Sequence, residues 1–120
     1  MFCGAGSFLF LFKYKTLMSN IEKINAFLVQ SPNDSFLLHA LALEYIKIGD
    51  DVKAKDLFIQ LLELNEKYVG SYYHLAKLFE RLNENDKAIL YYEKGMKIAK
   101  EVRDNHSYSE LQAAYEDLVY

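Results

Sequence analysis

Apolar residues recur along this chain at three- and four-residue spacing, broken by short polar stretches, which predicts a string of amphipathic helices. Leu38, Leu41, Ala42 and Tyr45 make one stripe. Asn33-Asp34 can cap its start, and Gly49 can end it with a left-handed residue. Asp50 or Asp51 then caps a second helix with Ala54, Leu57, Phe58, Leu61 and Leu62 on one face. After a break, Tyr72, Leu75, Ala76 and Phe79 repeat the first stripe. Asn83 to Asp86 form a turn, and Ala88, Tyr91, Tyr92, Gly95 and Met96 repeat the second stripe. At the C-terminal end, Ser107 to Glu110 reads as a capping box before Leu111, Ala114, Tyr115 and Leu118. The pattern predicts helices over about 20–30, 35–48, 51–65, 69–82, 86–102 and 108–119.

The two inner helix pairs are copies of each other. Thirty-four residues separate Leu38 from Tyr72, Leu41 from Leu75, Ala42 from Ala76 and Tyr45 from Phe79. The same offset joins Ala54 to Ala88, Phe58 to Tyr92 and Leu64 to Ile98, with no insertion. Fixed periods of this length mark stacked repeats. Ala42 and Ala54 fall where the two helices of one unit cross, and a side chain no larger than methyl lets the backbones approach.

These residues resemble the tetratricopeptide repeat (TPR), a thirty-four-residue unit of two helices with a small-and-aromatic grammar. The first unit carries Leu38, Leu41-Ala42, Tyr45, Gly49-Asp50, Ala54 and Phe58. The second carries Tyr72, Leu75-Ala76, Phe79, Ala88 and Tyr92. Leu38 and Tyr72 stand where the family favours Trp, and Glu66 and Lys100 where it favours Pro. The resemblance is to small stand-alone TPR proteins of bacterial type. It implies an all-α fold, a TPR-like αα superhelix with two full repeats, about 35–68 and 69–102, plus flanking N-terminal and C-terminal helices. Residues 20–34 look like the second helix of a preceding repeat, and about 108–119 like a capping helix. The TPR domain would span 18–120.

Residues 1–17 do not conform to the repeat, because Gly4 and Ser7 fall where Leu38 and Leu41 stand. They are expected to be an extension outside the fold. The run Phe8–Phe12 is far shorter than the roughly 20 residues of a membrane span. Lys13 and Lys15 follow it instead of preceding it, unlike a secretory signal. A short hydrophobic anchor is the second reading of this segment.

Composition narrows the function. Apolar residues make up 52% of the 120-residue chain, enough for a core without disulfides or metal. Fourteen basic and seventeen acidic residues give a net charge of −3 with the signs interspersed, so no nucleic-acid partner is expected. Cys3 is the sole cysteine, which excludes an intramolecular disulfide and a thiolate metal cage. His39 and His74 fall on neighbouring first helices, but no third ligand, nucleophile or oriented carboxylate accompanies them. No catalytic, metal or cofactor site is therefore expected, and the chain is not expected to be an enzyme.

The resemblance implies that first helices line a concave face. Helical geometry then places Phe36, His39, Leu43, Ile46 and Lys47 of the first repeat in a groove, with Tyr73, His74, Lys77, Glu80 and Arg81 of the second. Such a surface suits a peptide or helix with an apolar anchor and an acidic group. One subset of the family grips the C-terminal carboxylate of heat-shock chaperones with Lys and Asn. Here His39 and Leu43 occupy those places, so that role is not expected. The implied function is a cytoplasmic protein-interaction module, an adaptor or assembly factor with a protein or peptide partner. A self-associating homo-oligomeric module is the alternative.

Overall fold

The computed structural model describes residues 5–120; the expectations for residues 1–4, Cys3 included, fall outside it. Six helices follow in order, and among the described residues no strand occurs: α1 (Ala5–Gln30), α2 (Ser35–Lys47), α3 (Asp51–Leu64), α4 (Gly70–Arg81), α5 (Asn85–Glu101) and α6 (Asn105–Val119). Each helix packs on the next in sequence, and α6 also reaches back to α4. The fold is an all-α stack of hairpins.

Local chemistry explains most of the boundaries. The Asp34 carboxylate accepts from the Leu37 amide at 3.0 Å, and that of Asp50 from the Lys53 amide at 3.1 Å. Each satisfies one of the free N–H groups that open a helix. Gly49 ends α2 at φ 86°, and Asn83, thirty-four residues later, takes the same left-handed place after α4 at φ 61°. Two boundaries differ from the sequence reading. The cap of α6 is Asp104, which accepts from the Ser107 amide at 3.0 Å and from the Ser107 hydroxyl at 2.8 Å. Ser107 is therefore inside the helix, and the expected capping box is not the start signal. The first helix begins at Ala5 instead of about residue 20. The run through Phe12 and Lys13 contains no proline or internal polar break, so nothing in it stops helix propagation.

The core lies between the stacked hairpins. Leu38, Ala42, Ala54, Phe58 and Leu61 of the first repeat join Tyr72, Leu75, Ala76, Phe79, Ala88 and Tyr92 of the second. Leu111 and Ala114 close it from α6. Burying each large side chain contributes about 1.5–3 kcal/mol. The buried tyrosines keep partners for their hydroxyls. Tyr72 donates to the Glu66 carbonyl at 2.7 Å, and Tyr92 donates to the Glu80 carboxylate. At the N-terminal end, Ile21 of α1 is buried. Beside it Asn20 donates to Glu44 at 3.0 Å, and Lys47 pairs with Glu44 at 2.8 Å. Burial raises the Glu44 pKa, but these two partners outweigh it and hold the carboxyl below its usual range.

Gly95 has a role that its place in the apolar stripe does not suggest. A Cβ there would lie 2.6 Å from Cβ of Tyr72 and 3.1 Å from Leu111. It marks the point where α4, α5 and α6 converge, and only hydrogen fits between them.

Candidate functional site

The expected groove residues sit on α2 and α4, and they divide into two sets. On α2, Phe36 is 69% exposed in the first turn. Leu43 and Ile46 are half-buried against the core, and Lys47 is exposed but paired with Glu44. On α4, the residues form a connected strip that begins on α2. The His39 ring lies 5.5 Å from that of His74, and His74 lies 5.7 Å from Tyr73, both edge-on. The Lys77 ammonium stands 5.7 Å over the Tyr73 ring and 3.7 Å from Glu80. Glu80 in turn accepts from Tyr92. The structure thus brings His39, Tyr73, His74, Lys77 and Glu80 together across two neighbouring helices.

Arg81 is separate from that strip. Its guanidinium makes a two-point ion pair with Asp51 at the start of α3, with Nε at 2.9 Å and Nη2 at 3.1 Å. Lys77 and Arg81 lie one helical turn apart, which suggests a shared acidic acceptor. Each already has an internal one, and they point to different carboxylates.

Both imidazoles are neutral near pH 7. Burial, and then the charge of His74, lower the His39 pKa to about 4. Burial lowers that of His74 as well, with Glu110 opposing and Arg81 assisting. Tyr92 is pushed up by burial and by the Glu80 carboxylate, so it stays a donor.

Several contributors were not legible in the sequence. Ser71, fully buried, holds Nδ1 of His39 at 2.8 Å. Phe58 reaches from α3 to stack on His74 at 5.9 Å with the rings nearly parallel, and Tyr68 in the α3–α4 turn lies 5.4 Å from His39. Phe58 belongs to a recognisable core stripe, but its contact with two histidines depends on how α3 stacks on α4. Among the described residues, no three His, Cys, Asp or Glu side chains converge as a metal site would require. The strip can offer imidazole and phenol hydrogen bonds, aromatic faces and one ammonium.

Stacked helical hairpins with a polar-aromatic strip on their first helices define a repeat protein of the solenoid class. The tetratricopeptide-repeat family profile matches residues 69–102. The crystal structure of a tetratricopeptide repeat domain protein from Salinibacter ruber is 42% identical in sequence. It superposes with a TM-score of 0.69 over 71% of this chain and 94% of that one. The chain belongs to the tetratricopeptide-repeat family. Two more distant structures share the fold alone. The type III secretion translocator chaperone SycD of Yersinia enterocolitica is 12% identical, with a TM-score of 0.78 over 89% of this chain and 74% of its own. The first TPR of Spaghetti (RPAP3), bound to an HSP90 peptide, is 16% identical, with a TM-score of 0.67 over 86% of this chain and 82% of its own. Comparison with curated protein sequences returns no match. The family consists in general of interaction modules that bind proteins or peptides. Among the described residues, no helix is long and apolar enough to cross a membrane.

Proposed function

We propose that this protein is a non-enzymatic adaptor or assembly factor that holds a peptide or helical segment of a partner against α2 and α4. The observation that carries the reading is the aromatic strip His39–His74–Tyr73, continuous across two helices, with Phe36 left 69% exposed beside it. Phe36 is apolar surface left open after the core is packed, and Tyr73, half-buried against the core, is partly open beside it; such surface tends to mark a contact site. Tyrosine supplies contact area at little entropic cost. The partner is a protein or peptide, with no nucleic acid involved, and the setting is cytoplasmic. Residues 18–120 form the interaction domain, and residues 5–17 extend its first helix, with Leu17 half-buried at its edge.

A grip on a terminal carboxylate does not fit this groove. Burial leaves His39 neutral, and the ring is held by Ser71, Phe58 and Tyr68. Lys77 is the cation best placed for an acidic group, and using it requires exchanging Glu80 for the ligand.

Calorimetric titration of a partner isolated by affinity capture tests the reading. Tyr73→Ala should weaken binding by more than about 1 kcal/mol, as loss of an aromatic anchor does. Lys77→Ala should lower the on-rate and flatten its salt dependence. Lys87→Ala, an exposed position in the first turn of α5 outside the strip, should change neither. Loss confined to Lys87→Ala would place the contact outside the strip. A doubling of mass by light scattering that Phe36→Ser abolishes would instead favour self-association.

A further inference from the structure

We propose that the N-terminal end of α1 is a membrane-surface anchor, which dips into the acyl boundary of an anionic bilayer and leaves the repeat domain in water. This goes beyond the adaptor reading and does not depend on it. Helix α1 is twice the length of its neighbour α2, with 26 residues against 13. Its C-terminal half packs on α2 through Leu17, Ile21 and Leu28, all buried or half-buried. Lys13, Tyr14 and Leu17 line a notch with Lys47 and Ile48 at the end of α2. Residues 5–12 continue the helix beyond it for about 12 Å at 1.5 Å per residue.

That projection is apolar in more than one direction. Leu9, Leu11 and Phe12 are 62%, 58% and 64% exposed. At about 100° per residue, Leu11 points roughly 160° away from Leu9, and Phe12 points between them on the open side. A single protein face covers one stripe of a helix, whereas lipid surrounds it. The residues that follow are the ones that suit a bilayer interface. Lys13 and Lys15 can reach anionic headgroups, and the amphipathic ring of Tyr14 lies between them. Charge separation orients the molecule. Lys13 and Lys15 are the only charged side chains of residues 1–17, so that segment carries +2. The remainder of the chain therefore carries −5, since the whole is −3. At physiological salt, charge interactions fall off within about 8 Å, so acidic side chains of the body farther than that from the surface are screened from it. Insertion to a depth of about 5–10 Å matches the projecting length without any span.

The chain contains no tryptophan, so Phe12→Trp in the full chain is a single reporter. Its emission should shift to the blue with vesicles of mixed phosphatidylcholine and phosphatidylglycerol. Binding should be at least about tenfold weaker to phosphatidylcholine alone, and should fall with salt. In the reporter background, Lys13→Gln and Lys15→Gln should each cost about fivefold on anionic vesicles. Leu9→Ser with Leu11→Ser should abolish the shift. The lysine variants alter exposed positions, so they carry the test independently of any folding loss in the serine pair. No shift with vesicles, or equal partition into both lipids, would overturn the proposal. So would a blue emission already present without lipid together with a doubled mass, because a second copy would then cover the tip.

Discussion

The two repeats share one backbone plan but fill it with opposite size patterns. In the first, Leu38 on α2 and Leu61 on α3 are both medium-sized and fully buried or nearly so. In the second, the equivalent positions hold Tyr72 and Gly95, one large and one without a side chain. The Tyr72 ring occupies the space that a side chain at 95 would need, and Leu111 of α6 approaches from the other side. The second repeat therefore shifts volume from α5 to α4 and takes further volume from Leu111 of α6, as close packing at near-crystalline density requires. The capping chemistry differs too. Both helices of the first repeat start on an aspartate that bonds a backbone amide. Neither helix of the second has a side-chain cap, since Val69 and Glu84 occupy those places. The second repeat has polar-capped α6 on its outer side, whereas the first has only α1, whose outer surface remains apolar at Phe27 and Val29.

If volume exchange is the right account, Gly95→Ala should be the most damaging small substitution. A methyl group 2.6 Å from Tyr72 forces α4 and α5 apart, at a cost of about 3 kcal/mol, the upper end for overpacking. Gly95→Leu alone should be worse, and combining it with Tyr72→Leu should recover part of the loss by reproducing the first repeat's pair. Urea denaturation of Gly95→Leu, Tyr72→Leu and the double variant decides the matter. Strictly additive effects in the double variant would show that the two positions do not exchange volume.

Ala54 and Ala88, like Ala42 and Ala76, are positions at which the repeats agree, and none of the four has exposed surface. Ala54→Leu should cost about 1–3 kcal/mol, and Ala88→Leu a similar amount. An unchanged denaturation midpoint for either would remove that position from the helix crossing.

The caps predict a smaller, asymmetric effect. Asp50→Ala should lose about 1 kcal/mol, because the Lys53 amide loses its acceptor. Glu84→Ala should lose much less, and Glu84→Asp should gain a few tenths of a kcal/mol by supplying the missing cap. Equal losses at Asp50 and Glu84 would contradict the difference in capping.

The smallest effect at neutral pH, and one that grows with acid, belongs to the histidines. His39 stands where the second repeat has Tyr73, which does not change charge near neutrality. Its folded pKa of about 4 lies below the ordinary value of 6.5, so the unfolded chain binds the extra proton. The stabilisation from keeping the ring neutral is complete above about pH 6.5 and is lost as pH falls toward 4. His74, also lowered by burial, acts in the same direction. Thermal melts at pH 7.5 and 5 should show a drop that shrinks in His39→Asn, whose amide can still bond Ser71. An equal drop in the variant would assign the acid sensitivity elsewhere.

The faces on which the candidate side chains lie were legible because a helix has a fixed period. Once Leu38, Leu41 and Tyr45 were turned inward, Phe36 and His39 had to lie on another side of α2, and Tyr73 and Lys77 followed on α4. The partners of those side chains were not legible. Arg81 and Asp51 are thirty residues apart, and no local pattern announces that they meet. Glu44 shows the same limit: it sits among helix residues with nothing to mark it as buried, and its burial depends on Asn20 of α1.

What the sequence determined by itself was the repeat: its period, the small residues at the crossing, the aspartate at Asp50 and the left-handed turn at Gly49. These depend on neighbours within a few residues or on an offset repeated in the chain, and both are encoded linearly. Tertiary structure alone decided which carboxylate each cation meets, why position 95 must be glycine and that His39 stays neutral. Each of those results from distances between helices, which are set by the summed shapes of side chains far apart in sequence and not by any one of them.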